Sequence, residues 1–318
     1  MAKTKEIEVK QSELEQISGC GPATIDKLSS NGISTLMALA VSSPANIADM
    51  CGISENVARK LIQNARDNLK LGFEVASEYA KKRDKVKKLG TGCSDFDNML
   101  GGGFESKSIT EVYGRTSSGK TQLSHLMVIR ALLENKENKA IYLDSESTFR
   151  EERIKDFAEA NELAVDDVMS RIFIARSYNP EHQMLLVDEI EKMLQKDNTY
   201  RILVIDSLTS HFRANFSGRG ELASRQQLLN KHLHQLLRIA DIYNMIVIVT
   251  NQVSSNPGVM YGNPEQPIGG NIMSHSATSI VYLRPSKAGT WAAKLVDSPS
   301  LPQTECNYII TKEGFTNI

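Results

Sequence analysis

Gly114-Arg115-Thr116-Ser117-Ser118-Gly119-Lys120-Thr121 decides the fold. An apolar run, Ile109–Tyr113, precedes it, and a helical pattern begins at Gln122. The spacing is G-x-x-x-x-G-K-T between a strand and a helix. Glycines in such a turn let backbone amides wrap phosphate oxygens, and the helix N-terminus adds positive potential. Lys120 then reaches the β- and γ-phosphates, and the Thr121 hydroxyl serves a Mg²⁺ ion. Gly114 to Thr121, with Gln122 behind them, are the candidate nucleotide-binding residues.

Such a loop needs a carboxylate at the end of a neighbouring buried strand. Arg201-Ile202-Leu203-Val204-Ile205-Asp206-Ser207 supplies it, which makes Asp206 the candidate metal carboxylate beside Thr121. Hydrolysis also needs a group to orient water. The strand Ala140–Leu143 leads into Asp144-Ser145-Glu146, and spacing does not choose between the two acids. Counting the run before the loop as Ser108–Val112, further apolar, β-branched runs lie at Ile172–Ala175, Ile246–Thr250, Ile280–Leu283 and Tyr308–Ile310. Helical patterns separate them at Gln122–Leu133, Glu151–Asn161, His182–Gln195 and Ser224–Tyr243. Continuous apolar strands alternating with helices predict an α/β core with a mostly parallel central sheet, over residues 89–318.

The chain before this core reads differently. Residues 1–11 are charged and unpatterned, an expected disordered tail. Residues 12–71 read as short helices broken by turns, a small all-α domain. Ile17-Ser18-Gly19-Cys20-Gly21-Pro22 resembles a helix-hairpin-helix turn, with Pro22 in the first turn of the next helix. Met50-Cys51-Gly52-Ile53-Ser54 is a weaker echo. Residues 72–88 run from Gly72-Phe73-Glu74-Val75-Ala76 into the basic Lys81–Lys88 and read as a linker.

Composition sets outer bounds. The 318 residues are 41% hydrophobic and 24% charged, with 37 Lys+Arg against 38 Asp+Glu and a net charge of −1. A globally basic coat is excluded, though not a local basic face. The four cysteines lie far apart, without C-x-x-C spacing, and read as reduced structural thiols. Apolar runs fall short of a membrane span and the N-terminus lacks a signal-peptide core, so a cytoplasmic protein is expected.

The motifs in order are GFEVA, LGGGFESKSITEVYG, GRTSSGKTQL, LDSESTFREERI, LVIDSLTSHFR, GRGELASRQQ, VTNQV, PIGGNIMSHSAT and LVDSPSLP. With the hairpin module, this chain resembles the archaeal RadA recombinases, of the RecA family of strand-exchange ATPases. The resemblance implies a RecA-like P-loop ATPase core behind a helix-hairpin-helix domain. It implies a DNA-dependent ATPase that forms filaments on single-stranded DNA and catalyses homologous pairing and strand exchange with double-stranded DNA. ATP and Mg²⁺ are the implied cofactors, with a monovalent cation such as K⁺.

Residue by residue, the resemblance makes Glu146 the glutamate that activates water and Gln252 the γ-phosphate sensor. Arg153 would stack on adenine, with Pro302 capping it from the next subunit. His275 and Asp297 would also reach across, Asp297 toward the monovalent cation. Phe73 and Ala76 match the F-x-x-A polymerisation motif, in which an extended segment adds to a neighbour's sheet edge. A first DNA loop, about Arg213–Gln226, offers Arg213, Arg219 and Arg225 to phosphates. A second, about Val253–Ser274, carries Gly269, Gly270 and Asn271, and its length and glycine content mark it as functional. Self-association into a helical filament or ring follows. The alternative is a non-filamenting paralogue that regulates recombination. One departure stands out: Arg115-Thr116-Ser117 occupies a stretch where archaeal relatives usually carry an acidic and an aromatic residue.

Overall fold

The computed structural model describes residues 13–33, 35–69, 72–215, 222–255, 265–287 and 289–318. Arg219 and the sequence-expected tail lie outside them. The chain separates into two compact units, Met1–Arg83 and Asp84–Ile318.

The first unit is helical. A 3-10 turn at Glu13–Gln16 leads into α1 (Pro22–Ser30), α2 (Leu36–Ala40), α3 (Pro44–Cys51) and α4 (Glu55–Asn68). Pro22 and Pro44 open their helices, where a missing N–H costs nothing, and Thr35 and Ser54 cap α2 and α4 with side-chain oxygens. Gly19 and Gly52 take left-handed backbone in the two hairpin turns. Lys27 Nζ donates to the Cys51 carbonyl at 2.7 Å, tying the first hairpin's helix to the end of the second's. Leu14, Leu28, Leu39, Ile47 and Leu61 form the core.

The residues that read as a linker are partly helical. Gly72–Val75 has no regular structure, but α5 runs Ala76–Arg83. Its Ser-Glu-Tyr-Ala-Lys-Lys-Arg composition is made mostly of good helix formers, which a reading by charge alone passes over. Phe73 is fully exposed.

The second unit begins with β1 (Lys88–Leu89), α6 (Ser94–Met99) and β2 (Phe104–Glu105). There follow β3 (Ser108–Tyr113), α7 (Lys120–Glu134), β4 (Lys139–Asp144), α8 (Glu151–Ala160), α9 (Val165–Ser170) and β5 (Ile172–Arg176). Then come α10 (Pro180–Lys196), β6 (Tyr200–Asp206), α11 (Ser210–Asn215), α12 (Leu222–Ile242) and β7 (Ile246–Asn251). The chain ends with β8 (Val253–Ser255), β9 (Glu265–Pro267), α13 (Asn271–Ser276), β10 (Ser279–Pro285), β11 (Trp291–Asp297), β12 (Glu305–Ile310) and β13 (Phe315–Asn317).

Nine strands form one sheet in the order β13-β12-β11-β10-β3-β7-β6-β4-β5. β10, β3, β7, β6, β4 and β5 are parallel neighbours, while β11, β12 and β13 extend the sheet antiparallel. Alternation along each strand feeds two cores. Tyr142, Val204 and Ile248 face α7 and α8, and Ile141, Leu203 and Val247 face α10 and α12. β11 and β13 were not marked by apolar runs. β11 buries small Ala292 and Ala293 next to Lys294, and β13 is three residues long.

No helix among the described residues is long and apolar enough to cross a membrane. All four cysteines are buried free thiols. Phe96 is fully buried, with ring centroids 6.2 Å from Phe104, 5.5 Å from Tyr308 and 6.1 Å from Phe315. Phe96→Ala is expected to destabilise this unit by about 3–5 kcal/mol. Trp291, the single tryptophan, lies in the same unit, so denaturation followed by its fluorescence measures the loss.

Candidate active site

The parallel topology brings four strand ends together. β3, β7, β6 and β4 are adjacent and parallel, so the residues after each C-terminus share one edge of the sheet. Gly114–Gly119 follows β3, Gln252 follows β7, Asp206 ends β6 and Glu146 follows β4.

The loop after β3 tolerates no side chain at its first residue. A Cβ on Gly114 would lie 2.2 Å from the Leu283 carbonyl oxygen and 2.5 Å from Ser118 Oγ. Gly119 and Ser117 both have positive φ, turning the chain into the 15-residue α7. Lys120 Nζ donates to the carbonyls of Gly114 at 2.9 Å and Arg115 at 2.8 Å. Burial lowers its pKa, and the Asp206 and Glu146 carboxylates oppose that shift. Ser118 Oγ is buried without a hydrogen-bond partner. A glycine cradle, an unpaired hydroxyl, helix amides and a lysine held over the loop fit the phosphates of a nucleotide.

Thr121 Oγ1 donates to Asp206 Oδ2 at 2.8 Å. The same carboxylate accepts from Tyr142 OH at 2.9 Å, from Thr148 Oγ1 at 3.4 Å and from Thr250 Oγ1. Burial beside the Asp206 charge holds the Tyr142 phenol well above its ordinary range. Thr121 and Asp206 are thus adjacent oxygen donors, suited to a hard divalent cation.

The two acids after β4 do different things. Asp144 spends both oxygens on backbone: Oδ1 accepts from the amides of Glu146 and Thr148, at 3.1 and 3.2 Å, and Oδ2 from that of Phe149 at 3.1 Å. It shapes the loop. Glu146 Oε1 accepts from Ser207 Oγ and Gln252 Nε2, each at 2.8 Å, and so faces the shared edge. A cleft of about 410 Å³ between the phosphate loop and Gln252 is lined by Gly114, Arg115, Thr116, Gln252 and Val253.

Arg153 lies behind Gln122. Its Nε donates to Gln122 Oε1 at 2.6 Å, its terminal nitrogens to the carbonyls of Thr311 and Lys312, and its guanidinium sits 3.8 Å from the Phe157 ring centroid. A flat cation fixed next to the phosphate loop is well placed for a nucleobase. His275, Asp297 and Pro302 are not brought to this edge; all three are exposed. Asp297 pairs with Ile280, which pairs with Glu111, three residues before the phosphate loop.

A second cleft, of about 370 Å³, joins the two expected DNA segments. Arg213 on α11 and Arg225 on α12 line it with Gln266, Gly269 and Gly270. The second segment is not one continuous loop. β8 and β9 pair as its legs, and α13 begins at Asn271. Gly269 has φ +104°, and a Cβ there would meet Met273 at 2.7 Å.

A buried polar pair beneath the site escaped the motif reading. Asn251 Nδ2 donates to Glu111 Oε1 and to the Ile268 carbonyl, both at 2.6 Å, and Thr209 Oγ1 donates to Asn251 Oδ1 at 2.5 Å. Burial pushes the Glu111 carboxyl from 4.5 up to about 7, against the Asn251 hydrogen bond. The fold therefore favours the protonated carboxyl. Its contribution is intact below about pH 4.5 and is lost as pH rises through 7. The shift corresponds to about 3 kcal/mol at most. Glu111→Gln is expected to remove that part of the pH dependence and to raise stability at pH 8, measured by denaturation at several pH values.

The chain is similar to known proteins over nearly its whole length. The Rad51 family model matches residues 82–318, and the SAM-like helix-hairpin-helix tandem model matches residues 12–67. A DNA repair and recombination protein RadA from Aeropyrum pernix is 42% identical over 95% of this chain and 96% of its own length. One from Metallosphaera sedula is also 42% identical, over 95% of this chain and 94% of its own. With the Rad51 family model covering residues 82–318 and relatives 42% identical over 95% of the chain, the chain belongs to the Rad51 family, among the relatives of archaeal RadA.

Proposed function

We propose that this protein is a DNA-dependent ATPase that assembles on single-stranded DNA and catalyses homologous pairing and strand exchange in recombination and repair. The observation that carries this reading is the meeting of Lys120, Thr121, Asp206, Glu146 and Gln252 at one sheet edge, with Gln252 leading directly into the β8–β9 legs.

In this reading the amides of Gly114–Thr121 and the Lys120 ammonium hold the phosphates of ATP, and Arg153 stacks on the adenine. Thr121 and Asp206 would hold Mg²⁺, which when bound neutralises phosphate charge. Glu146 orients the attacking water and takes its proton, and Ser207 and Gln252 fix the carboxylate's position. Gln252 also reaches the DNA segment through its own backbone, since its carbonyl accepts from the Ile268 amide at 3.0 Å. Gln252 thus touches both the hydrolytic glutamate and the second DNA loop. Loss of γ-phosphate contacts at Lys120 and Gln252 loosens that hold and releases DNA.

Arg213 and Arg225, together with Arg219, supply phosphate contacts that do not read sequence, while Gly269, Gly270 and Asn271 let the backbone approach DNA closely. Base pairing reads homology, and no covalent bond in DNA breaks. Assembly rests on Phe73 and Ala76. Phe73 is an aromatic side chain wholly in solvent, and β5 is an edge strand whose Phe173 and Ile174 are exposed. Strand addition of Gly72–Val75 from a neighbouring subunit covers both. His275, Asp297 and Pro302, exposed and away from their own phosphate loop, then face the next subunit's nucleotide, with Asp297 at a K⁺ ion. The protein would work on nucleoid DNA in the cytoplasm.

The decisive measurement is joint-molecule formation between a labelled single strand and supercoiled duplex with Mg²⁺-ATP. Homology-dependent joint molecules are expected. DNA-stimulated ATP turnover without them would instead support a non-filamenting regulatory paralogue. Phe73→Glu is expected to leave a folded, nucleotide-binding monomer that no longer assembles, because the receiving pocket would have to desolvate a charge. Light scattering checks this, and normal filaments from the mutant would remove the strand-addition argument.

A further inference from the structure

Arg115, the departure in the phosphate loop, has a partner far along the chain. Its guanidinium forms an ion pair with the Glu265 carboxylate. The two groups differ in setting: the Arg115 side chain is 66% exposed, that of Glu265 only 4%. Glu265 opens β9, one leg of the second glycine-rich loop, and pairs across it with Ser255 of β8. The other carboxylate oxygen accepts from Tyr282 OH at 2.6 Å. Tyr282 in turn lies against Tyr113, with ring centroids 5.0 Å apart, and Tyr113 is the last residue of β3 before the phosphate loop.

The β9 leg is therefore fastened to the phosphate loop by the ion pair, and by the Tyr282 phenol to β10, the strand beside β3. A carboxylate this dry resists losing a cationic partner, because a buried charge left uncompensated is strongly disfavoured. Movement of Arg115 must be followed by Glu265, or opposed by it. The β8 leg has a different attachment, through Gln252 and Glu146.

We propose that Arg115 and Glu265 are positioning residues that tie the second DNA loop's β9 leg to the phosphate loop of the same subunit. Nucleotide at the loop and DNA at the cleft thereby each set the other's geometry. The inference rests on the reading above, in which the phosphate loop binds ATP and the β8–β9 segment binds DNA. Coupling of this kind is reciprocal, so it appears as a change in DNA affinity on adding nucleotide.

Glu265→Gln in the full chain is the test, because glutamine keeps the side-chain shape and an oxygen for Tyr282 while removing the charge. The affinity of a fluorescent oligothymidylate is measured with and without Mg²⁺ and a non-hydrolysable ATP analogue, and the analogue's affinity is measured without DNA. Glu265→Gln is expected to leave the latter unchanged and to reduce the nucleotide-induced gain in DNA affinity by about tenfold. Arg115→Lys, which keeps the charge, is expected to retain most of that gain. Arg115→Ala combined with Glu265→Gln is expected to lose no more of it than Glu265→Gln alone.

A merely structural role would weaken DNA binding equally in both nucleotide states, and that result overturns the inference. So does an unchanged gain in Glu265→Gln, or independent effects of the two substitutions. Wild-type protein that binds ATP and DNA without coupling them refutes this inference alone. Wild-type protein that binds neither refutes the recombinase reading along with it.

Discussion

The Asp206 carboxylate is the constraint on which the site depends. It ends β6, a strand buried along its whole length, and is itself 2% exposed. A charge so dry is tolerated when its lone pairs are filled. The donors are Thr121 in the first turn of α7, Tyr142 on β4, Thr148 in the loop after β4 and Thr250 on β7. One acid thus fastens the helix behind the phosphate loop to three neighbouring strands or their loops. The spacing proposed to serve a divalent cation follows from the same bonds, because Thr121 and Asp206 are hydrogen-bonded neighbours.

Around this fixed point the remaining charges are arranged by sign. Lys120 is a half-buried cation, drawn toward Asp206 and Glu146, and its ammonium rests on two loop carbonyls. Carbonyls are weaker partners for an ammonium than phosphate oxygens. The loop is therefore folded in a form that a polyanion improves. Asp144 contributes no free oxygen, since three amides of its own loop use it. That division of labour leaves Glu146 free to meet Ser207 and Gln252.

How much of this the chain reveals before folding depends on how local each feature is. The phosphate loop, Asp206 and the strand–helix alternation are contiguous patterns, legible because β3, β4, β6 and β7 are buried on both faces. β11 was missed because Ala292 and Ala293 bury as small side chains beside Lys294, which blurs an apolar run. α5 is masked in the sequence because its lysines and arginine read as a solvated linker. The choice between Asp144 and Glu146 needs the loop's backbone path, and no spacing rule contains it. Asn251 and Glu111 look like the polar end and middle of two apolar strands, until the sheet places β7 beside β3. Arg115 and Glu265 are further from legible, being joined only by tertiary structure.

The attachments of the proposed second DNA loop fall into two physical kinds. Asn251 holds the Ile268 carbonyl from a position with no exposed surface, backed by Glu111 and Thr209. Breaking that set would strand buried polar groups, at about 1–3 kcal/mol each. It is a fixed root. Gln252 with Glu146, and Arg115 with Glu265, lie instead along the cleft where phosphates are expected, and each joins a movable side chain to a β8 or β9 leg. Glu146 and Gln252 are both half-buried, so that tie can be exchanged at smaller cost, whereas the buried Glu265 holds Arg115 and that pair moves as a unit. In the proposed reading, a loop rooted at Ile268 and tied at its two legs to the phosphate-loop edge would change its tilt with the nucleotide state while keeping its register on the sheet. Non-sequence-specific binding asks for that combination, since the backbone of any strand must be gripped at constant spacing and then let go.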